Sequence, residues 1–348
     1  MRYRRFGNTG LFVSELCLGT MTFGEGRTTN AAWQAIGQLG RSESEAIVGA
    51  SLDAGINIID TADVYSEGDS ERLVGAALAA LKRPRDSYLV ATKVRGRTGP
   101  GPNQVGLSRG HILHAVDASL ERLNCGFIDL YQIHGVDTET PIEETLRALD
   151  DVVRAGKVRY IGFSNLAAWQ AMKALAHADR HGLARFVSAQ VYYSIAGRDI
   201  ERDLVPLAQD QRLAILPWSP LAGGLLSGKF DLDSSGPEGA RRTTFDFPPV
   251  DRERARKALT ALRAVAADTG LSVARLALAW LLTRPFVTSV IIGARRPDQL
   301  EDNLAASDVT LSADQVAALD AASDLPWEYP GWMLRFMSAQ GRTPPNAR

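Results

Sequence analysis

The chain is poor in almost everything that would point away from an ordinary folded core. Cysteine is scarce: only Cys17 and Cys125 occur in 348 residues. Both sit in apolar strand-like or helix-end contexts, so reduced, inert thiols are expected rather than a disulfide framework. Charge of one sign is scarce too. The formal net charge is −1, with no long acidic or basic block, which argues against nucleic acid or an anionic membrane as partner. No run of about 18 apolar residues occurs, so no membrane span is expected. The opening residues MRYRRFGNTGLFVSEL lack an apolar stretch followed by a small-residue cleavage site, and a cytoplasmic location is the default expectation. No G-x-G-x-x-G opens an early β-α-β unit, so the common dinucleotide-binding fingerprint is missing.

What is present is enough for a large core. Hydrophobic residues make up 45% and charged residues 23%, as in a soluble globular protein. Length alone would allow two domains. A single α/β barrel also reaches this size, and one domain over 1–348 is expected. Residues 1–14 read as a hairpin: Arg2–Phe6 and Leu11–Ser14 flank Gly7-Asn8-Thr9-Gly10. Eight apolar, β-branched runs follow at Glu15–Gly19, Ile56–Asp60, Tyr88–Lys93, Phe127–Ile133, Val158–Gly162, Phe186–Gln190, Ala214–Trp218 and Ser289–Ile292. Helical patterns separate them. Some open on a cap and an acid, as in Ser42-Glu-Ser-Glu45, and some end near a glycine such as Gly182. Strict alternation with continuous apolar strands predicts a parallel sheet covered on both faces. Eight repeats favour a closed (β/α)8 TIM barrel. Outside the repeat lie a Gly/Pro-rich insertion with an extra helix (about 222–269), a helix near Ser312–Ala322 and a C-terminal loop (about 323–348). The loop's Trp327, Tyr329, Trp332 and Phe336 suit either a lid over a pocket or a patch on the barrel wall.

Three strand ends carry reactive side chains: Asp60-Thr-Ala-Asp-Val-Tyr65, Ala91-Thr-Lys93 and Tyr131-Gln-Ile-His134. In a parallel barrel the C-terminal strand ends collect the active site. Taken singly, each residue has a structural explanation: a rim Tyr or Asp, a solvated Lys, a satisfied His. Arriving together on successive strands, they suit proton donation to a carbonyl being reduced. A free Tyr, with pKa about 10, is a weak acid at neutral pH. A Lys ammonium about 4 Å away, at an effective dielectric near 20, is worth roughly 4 kcal/mol, or about three pKa units. Lys93 is therefore expected to lower the Tyr65 pKa, less whatever Asp60 cancels. Asp60 would fix the ammonium, and His134 would orient the carbonyl oxygen. Asp60 and Asp63 also allow a carboxylate-pair hydrolase, a weaker fit given their Lys and Tyr neighbours. Gly223-x4-Gly228-Lys229 mimics a P-loop, but Phe230 stands where the Mg²⁺-binding Ser or Thr belongs.

These segments, with Gly162-Phe-Ser-Asn165, resemble the aldo-keto reductase family from the hairpin to about Asn303. The resemblance implies a (β/α)8 barrel, a nicotinamide cofactor held without a Rossmann domain, and the tetrad Asp60, Tyr65, Lys93 and His134. It implies that Ser164, Asn165 and Gln190 hold the nicotinamide carboxamide, with Asp60 nearby. Trp218 would stack under the ring, and Thr20 and Met21 would touch cofactor and pocket. Ser219–Lys229 resembles the loop that folds over the pyrophosphate, with Ser219, Leu221, Gly223 and Lys229 as contacts. After the last strand, one branch of the family has Lys at the position of Gly293 and Arg at that of Gln299. Here Arg295 is the substitute grip for a 2′-phosphate, so NADPH is expected over NADH, with Asn303 at adenine. Phe23, Trp33, Val64 and Trp332 are expected to line the pocket for a small-molecule carbonyl substrate. Some family members bind the cofactor as regulatory, channel-associated proteins, and that is the alternative reading. No metal is expected, and the oligomeric state is not legible.

Overall fold

The β-branched runs pair side by side as a parallel sheet of eight strands. In a computed structural model that describes residues 1–339 apart from 27, 29, 231–241 and 243–244, these are β3 (Leu16–Gly19), β4 (Ile58–Asp60), β5 (Leu89–Val94), β6 (Ile128–Ile133), β7 (Val158–Ser164), β8 (Phe186–Tyr192), β9 (Ala214–Trp218) and β10 (Val290–Ile292). The order runs β10-β3-β4-β5-β6-β7-β8-β9. Closure comes just before β10, where Thr288 N donates to Ile215 O at 2.9 Å. Around the sheet stand α2 (Arg41–Asp53), α3 (Asp69–Leu81), α4 (Arg109–Leu123), α5 (Ile142–Arg154), α6 (Ala168–His181) and α7 (Leu204–Asp210). The extra helix α8 (Arg252–Thr269) precedes α9 (Val273–Leu282), and α10 (Pro297–Leu304) follows β10. This is the (β/α)8 barrel.

The N-terminal hairpin, β1 (Tyr3–Arg5) with β2 (Phe12–Ser14), closes one mouth. Its Phe6 and Val13 are buried against Cys17, Ile58, Ala91, Leu130, Ala214 and Leu216 inside the barrel. Arg4 fastens the plug by donating to Leu282 O at 2.6 Å and Val287 O at 2.5 Å. Side chains two residues apart share one face of a strand. Above the apolar layer of Ile58, Ala91 and Leu130 the next inward residues are therefore Asp60, Lys93 and Gln132. The plugged mouth is apolar, and the open mouth is polar.

Several expectations need correction. Helix α2 begins at Arg41 with Gly40 as an uncapped start, so Ser42 lies inside the helix and does not cap it. A short helix, α1 (Ala31–Ile36), was not expected; Asn30 caps it by accepting from Ala32 N and Trp33 N. The C-terminal segment is not all loop: after α11 (Ala313–Ala322) it forms α12 (Gly331–Ala339). Its aromatics stand largely in solvent, Trp327 at 77% and Phe336 at 60% exposure, so they are not packed as a patch on the barrel wall. Residues 231–241, 243–244 and 340–348, within the expected insertion and tail, lie outside the described residues.

Candidate active site

Alternation along β4, β5, β6 and β8 delivers Asp60, Lys93, Gln132 and Gln190 to one buried layer at the open mouth. Lys93 is fully buried and Asp60 nearly so. A buried ammonium is tolerated only with partners. Lys93 Nζ donates to Asp60 Oδ2 at 2.6 Å, to Thr61 O at 2.8 Å and to the Tyr65 hydroxyl at 3.3 Å. Asp60 Oδ1 accepts from Gln190 Nε2 at 2.7 Å and from Gln132 Nε2 at 3.1 Å. Burial pulls the Lys93 ammonium down, and Asp60, then Tyr65, reverse this, so its pKa ends above the usual value.

Tyr65 sits on the turn after β4, half-buried, facing the mouth edge-on to His134 with ring centroids 5.8 Å apart. The turn is strained: Ser66 and Glu67 have φ of 47° and 57°, a left-handed conformation that costs non-glycine residues energy. Ser66 Oγ repays part of it by donating to Phe23 O at 2.9 Å. Among the described residues, nine non-glycine residues have positive φ, and Ser66, Glu67, Arg95, Asn165, Ser219 and Ala222 all follow strands at this mouth. The expected lowering of the Tyr65 pKa does not occur. Burial pushes the phenol above 10, Lys93 lowers it and is outweighed, and Asp60 and Asp63 add to the rise. The charge of Lys93 is largely spent on Asp60. His134 is driven down to about 3, by burial first and then by Lys93 and Arg95, so its imidazole is neutral across the physiological range.

The rim beyond the tetrad is polar. Ser164 Oγ donates to Gln190 O at 2.8 Å. Asn165, exposed at φ 55°, donates from Nδ2 to His134 O at 3.0 Å and accepts from Trp218 Nε1 at 3.1 Å. Trp218 is half-buried; Phe247 stacks on it at 5.7 Å and 6°, and Tyr192 lies 5.2 Å away. Ser219 Oγ accepts from Gly223 N at 3.0 Å in a turn where Gly223, Gly224 and Gly228 all have positive φ. Leu221 is half-buried in that turn and Lys229 is exposed. At the β10 end, Asn303 Nδ2 donates to Gly293 O at 3.2 Å, and Arg295 N donates to Gln299 Oε1 at 3.0 Å. The Arg295 guanidinium reaches back to Ala35 O at 2.6 Å. Thr20 is fully buried and locked between Asp60 O and Ser70, while Met21 is half-buried beside it.

The expected substrate residues divide. The Trp33 ring lies 5.6 Å from that of Tyr65, and Val64 is half-buried next to Tyr65. Phe23 is fully buried in the core, so it supports the Tyr65 turn through its carbonyl and does not line a pocket. Trp332, on the tail helix, pairs with Tyr329 at 6.2 Å between ring centroids, and among the described residues no ring contact joins it to Tyr65 or His134. One residue of the site had no assigned role in the sequence, Gln132, which shares Asp60; Asp63, considered there only as half of a carboxylate pair, is buried with both carboxylate oxygens unpartnered among the described residues. Gln132 was detectable as the residue two before His134 on one strand face. Burial first, then the Glu71 carboxylate, push Asp63 well above the usual carboxylate range. Among the described residues, no group of three or more His, Cys, Asp or Glu side chains is gathered as for a metal, and no single helix is long and apolar enough to cross a membrane.

Known proteins resemble the chain in sequence over nearly its whole length. Versiconal hemiacetal acetate reductase of Aspergillus parasiticus is 36% identical, covering 92% of this chain and 96% of that protein. A probable voltage-gated potassium channel subunit beta of Arabidopsis thaliana is 35% identical over 89% of this chain and 92% of that protein. Protein tas of Escherichia coli is 35% identical over 95% and 99%. The model of the Aldo/keto reductase family matches residues 15–324. With the barrel and its polar mouth in place, this match settles the kinship: the chain belongs to the aldo/keto reductase family, among relatives that include named oxidoreductases.

Proposed function

We propose that this protein reduces aldehydes or ketones with a nicotinamide cofactor, NADPH in preference to NADH, and that Tyr65 supplies the proton. The observation that carries the reading is the buried chain from Asp60 through Lys93 to a half-buried Tyr65 hydroxyl. The residues present fit a dinucleotide. Ser164, Asn165 and Gln190 supply the donors and acceptors an amide needs. The Gly223–Gly228 turn, with its left-handed glycines, is the segment where the backbone would approach the phosphates. Arg295, beside Gln299 and Asn303, is the cation proposed to favour the 2′-phosphate.

When bound, the nicotinamide supplies hydride. The chain's own side chains handle the oxygen. Neutral His134 donates a hydrogen bond that holds the carbonyl, and Tyr65 passes its proton to that oxygen as alkoxide character develops. Lys93 stabilises the phenolate left behind, and Asp60 keeps the ammonium aimed. The raised Tyr65 pKa supports this direction: the hydroxyl stays protonated at neutral pH, and an alkoxide is a far stronger base than a phenolate. Trp33 beside Tyr65 supports apolar or aromatic carbonyl compounds as substrates.

The test is aldehyde-dependent loss of NADPH absorbance. Tyr65→Phe should reduce it by about 10²–10⁴-fold while NADPH binding survives; a variant that keeps most of its turnover would end the assignment. A second reading, cofactor binding with little turnover, draws on the likeness to the plant channel subunits. It predicts tight NADPH retention and no oxidation with any carbonyl compound in a broad panel.

A further inference from the structure

Gln132 has no part in the acid chain, yet the fold makes room for it. It lies on β6 two residues before His134, facing into the barrel, and is fully buried. Its cross-strand partner on β7 is Gly162. A Cβ on Gly162 would lie 3.2 Å from Gln132 Cγ and 2.4 Å from Ser188 Oγ. The glycine thus leaves the space the glutamine stem fills.

The amide of Gln132 duplicates a neighbour. Its Nε2 donates to Asp60 Oδ1 at 3.1 Å, the oxygen that also accepts from Gln190 Nε2 at 2.7 Å. Gln190 Nε2 lies within 3.3 Å of Gln132 Oε1 as well, so the two amides form a pair over one carboxylate oxygen. Asp60 Oδ2 is taken by Lys93. Burying a second amide costs free energy unless its bonds are needed. The need arises when Gln190 has another partner. A Gln190 amide turned toward a carboxamide would leave Asp60 Oδ1 with no donor were Gln132 absent, and an unsatisfied buried carboxylate oxygen is costly.

We propose that Gln132 is a positioning residue that keeps Asp60 Oδ1 bonded, and so keeps the Lys93 ammonium aimed at Tyr65, when Gln190 turns its amide to the carboxamide of a nicotinamide cofactor. The proposal rests on the cofactor reading above. It assigns to Gln132 a cost that is felt only by ligands carrying the carboxamide.

The experiment uses the full chain and needs no turnover. Gln132→Leu and Gln132→Met preserve volume against Gly162 and remove the amide. Each variant is titrated by calorimetry with NADP⁺ and with 2′-phospho-ADP-ribose, which has the phosphates and adenosine but no nicotinamide. Both variants should bind NADP⁺ about tenfold more weakly, about 1.4 kcal/mol, and 2′-phospho-ADP-ribose as wild type does, which also shows that they are folded. Adding Gln190→Leu should then weaken NADP⁺ binding by less than the product of the single effects. Unchanged NADP⁺ affinity overturns the proposal, and so does equal weakening of both ligands, which marks a role in core shape alone. A wild-type chain that binds neither NADP⁺ nor NADPH would instead defeat the cofactor reading, and this proposal with it.

Discussion

At the scale of single residues, burial decides more than neighbouring charge. Lys93 was legible as a cation beside a phenol, and it acts on Tyr65 in the expected direction. Its opposition was not legible, because burial and the compensating Asp60 depend on what lies above and behind the layer. The pH behaviour follows. His134 is neutral down to about 3, so carbonyl reduction measured from pH 5 to 8 should show no imidazole inflection. The phenol, raised by burial from its ordinary value, should stay protonated and keep reduction alive through neutral and mildly alkaline pH, while oxidation of an alcohol, which needs the phenolate, should rise with pH. A reduction profile that breaks near pH 6.5, the ordinary histidine value, would contradict the His134 environment. Asp63 gives a stability test. Its folded pKa is raised, so its contribution is fully present below the unfolded value of about 3.9 and is lost as pH climbs through the folded pKa. Asp63→Asn mimics the protonated acid and should raise the melting temperature at pH 8 while changing it little at pH 4. The resemblance named the tetrad; it did not name Asp63, whose peculiarity, a buried carboxylate without a side-chain hydrogen-bond partner among the described residues, is a property of the fold.

At the scale of elements, the strands were readable and some of their ends were not. The apolar runs fell where β3–β10 form, because β-branched residues buried on both sides leave a continuous signal. Strands β7 and β8 run on to Ser164 and Tyr192, two residues past the expected ends, since β7 stays paired with β8 through Ser164 and Gln190 and β8 stays paired with β9 through Tyr192 and Trp218. Helix α1 escaped notice because six residues are too few to show a period. Close approach of helices was equally silent. Gly75 in α3 faces α4, and a Cβ there would stand 2.5 Å from Leu123 O. Helix propensity alone makes Gly75→Ala worth a gain of up to about 1 kcal/mol. The clash is with backbone, which cannot rotate away, and overpacking of this kind costs about 1–3 kcal/mol. Chemical denaturation should therefore find Gly75→Ala less stable than wild type, and a more stable variant would show that α3 and α4 can separate freely.

At the scale of the whole molecule, the barrel divides its two mouths by chemistry: the hairpin with Phe6 and Val13 fills one, and the layer of Asp60, Lys93, Gln132 and Gln190 opens toward the other. The tail contributes little to either. Beyond Asp324 its tie to the barrel includes the ion pair of Glu328 with Arg202 at 2.7 Å, and its aromatics are exposed. Partly exposed pairs are worth about 0–1 kcal/mol. Truncation after Asp324 should shift the melting temperature by less than about 4 °C and leave the KM for aldehydes unchanged; a large rise in KM would show that the tail reaches over Tyr65 during turnover. The sequence alone determined the alternation of strand and helix, the barrel that eight such repeats close, and which strand ends carry Asp60, Tyr65, Lys93 and His134, because period and residue type are local properties. Tertiary structure alone decided that Lys93 is fully buried, that Gln132 and Gln190 share one oxygen of Asp60, that Phe23 belongs to the core and that Tyr65 is a weaker acid than its neighbour suggested. Each of those depends on the distance and dielectric between groups far apart along the chain, which the order of residues does not contain.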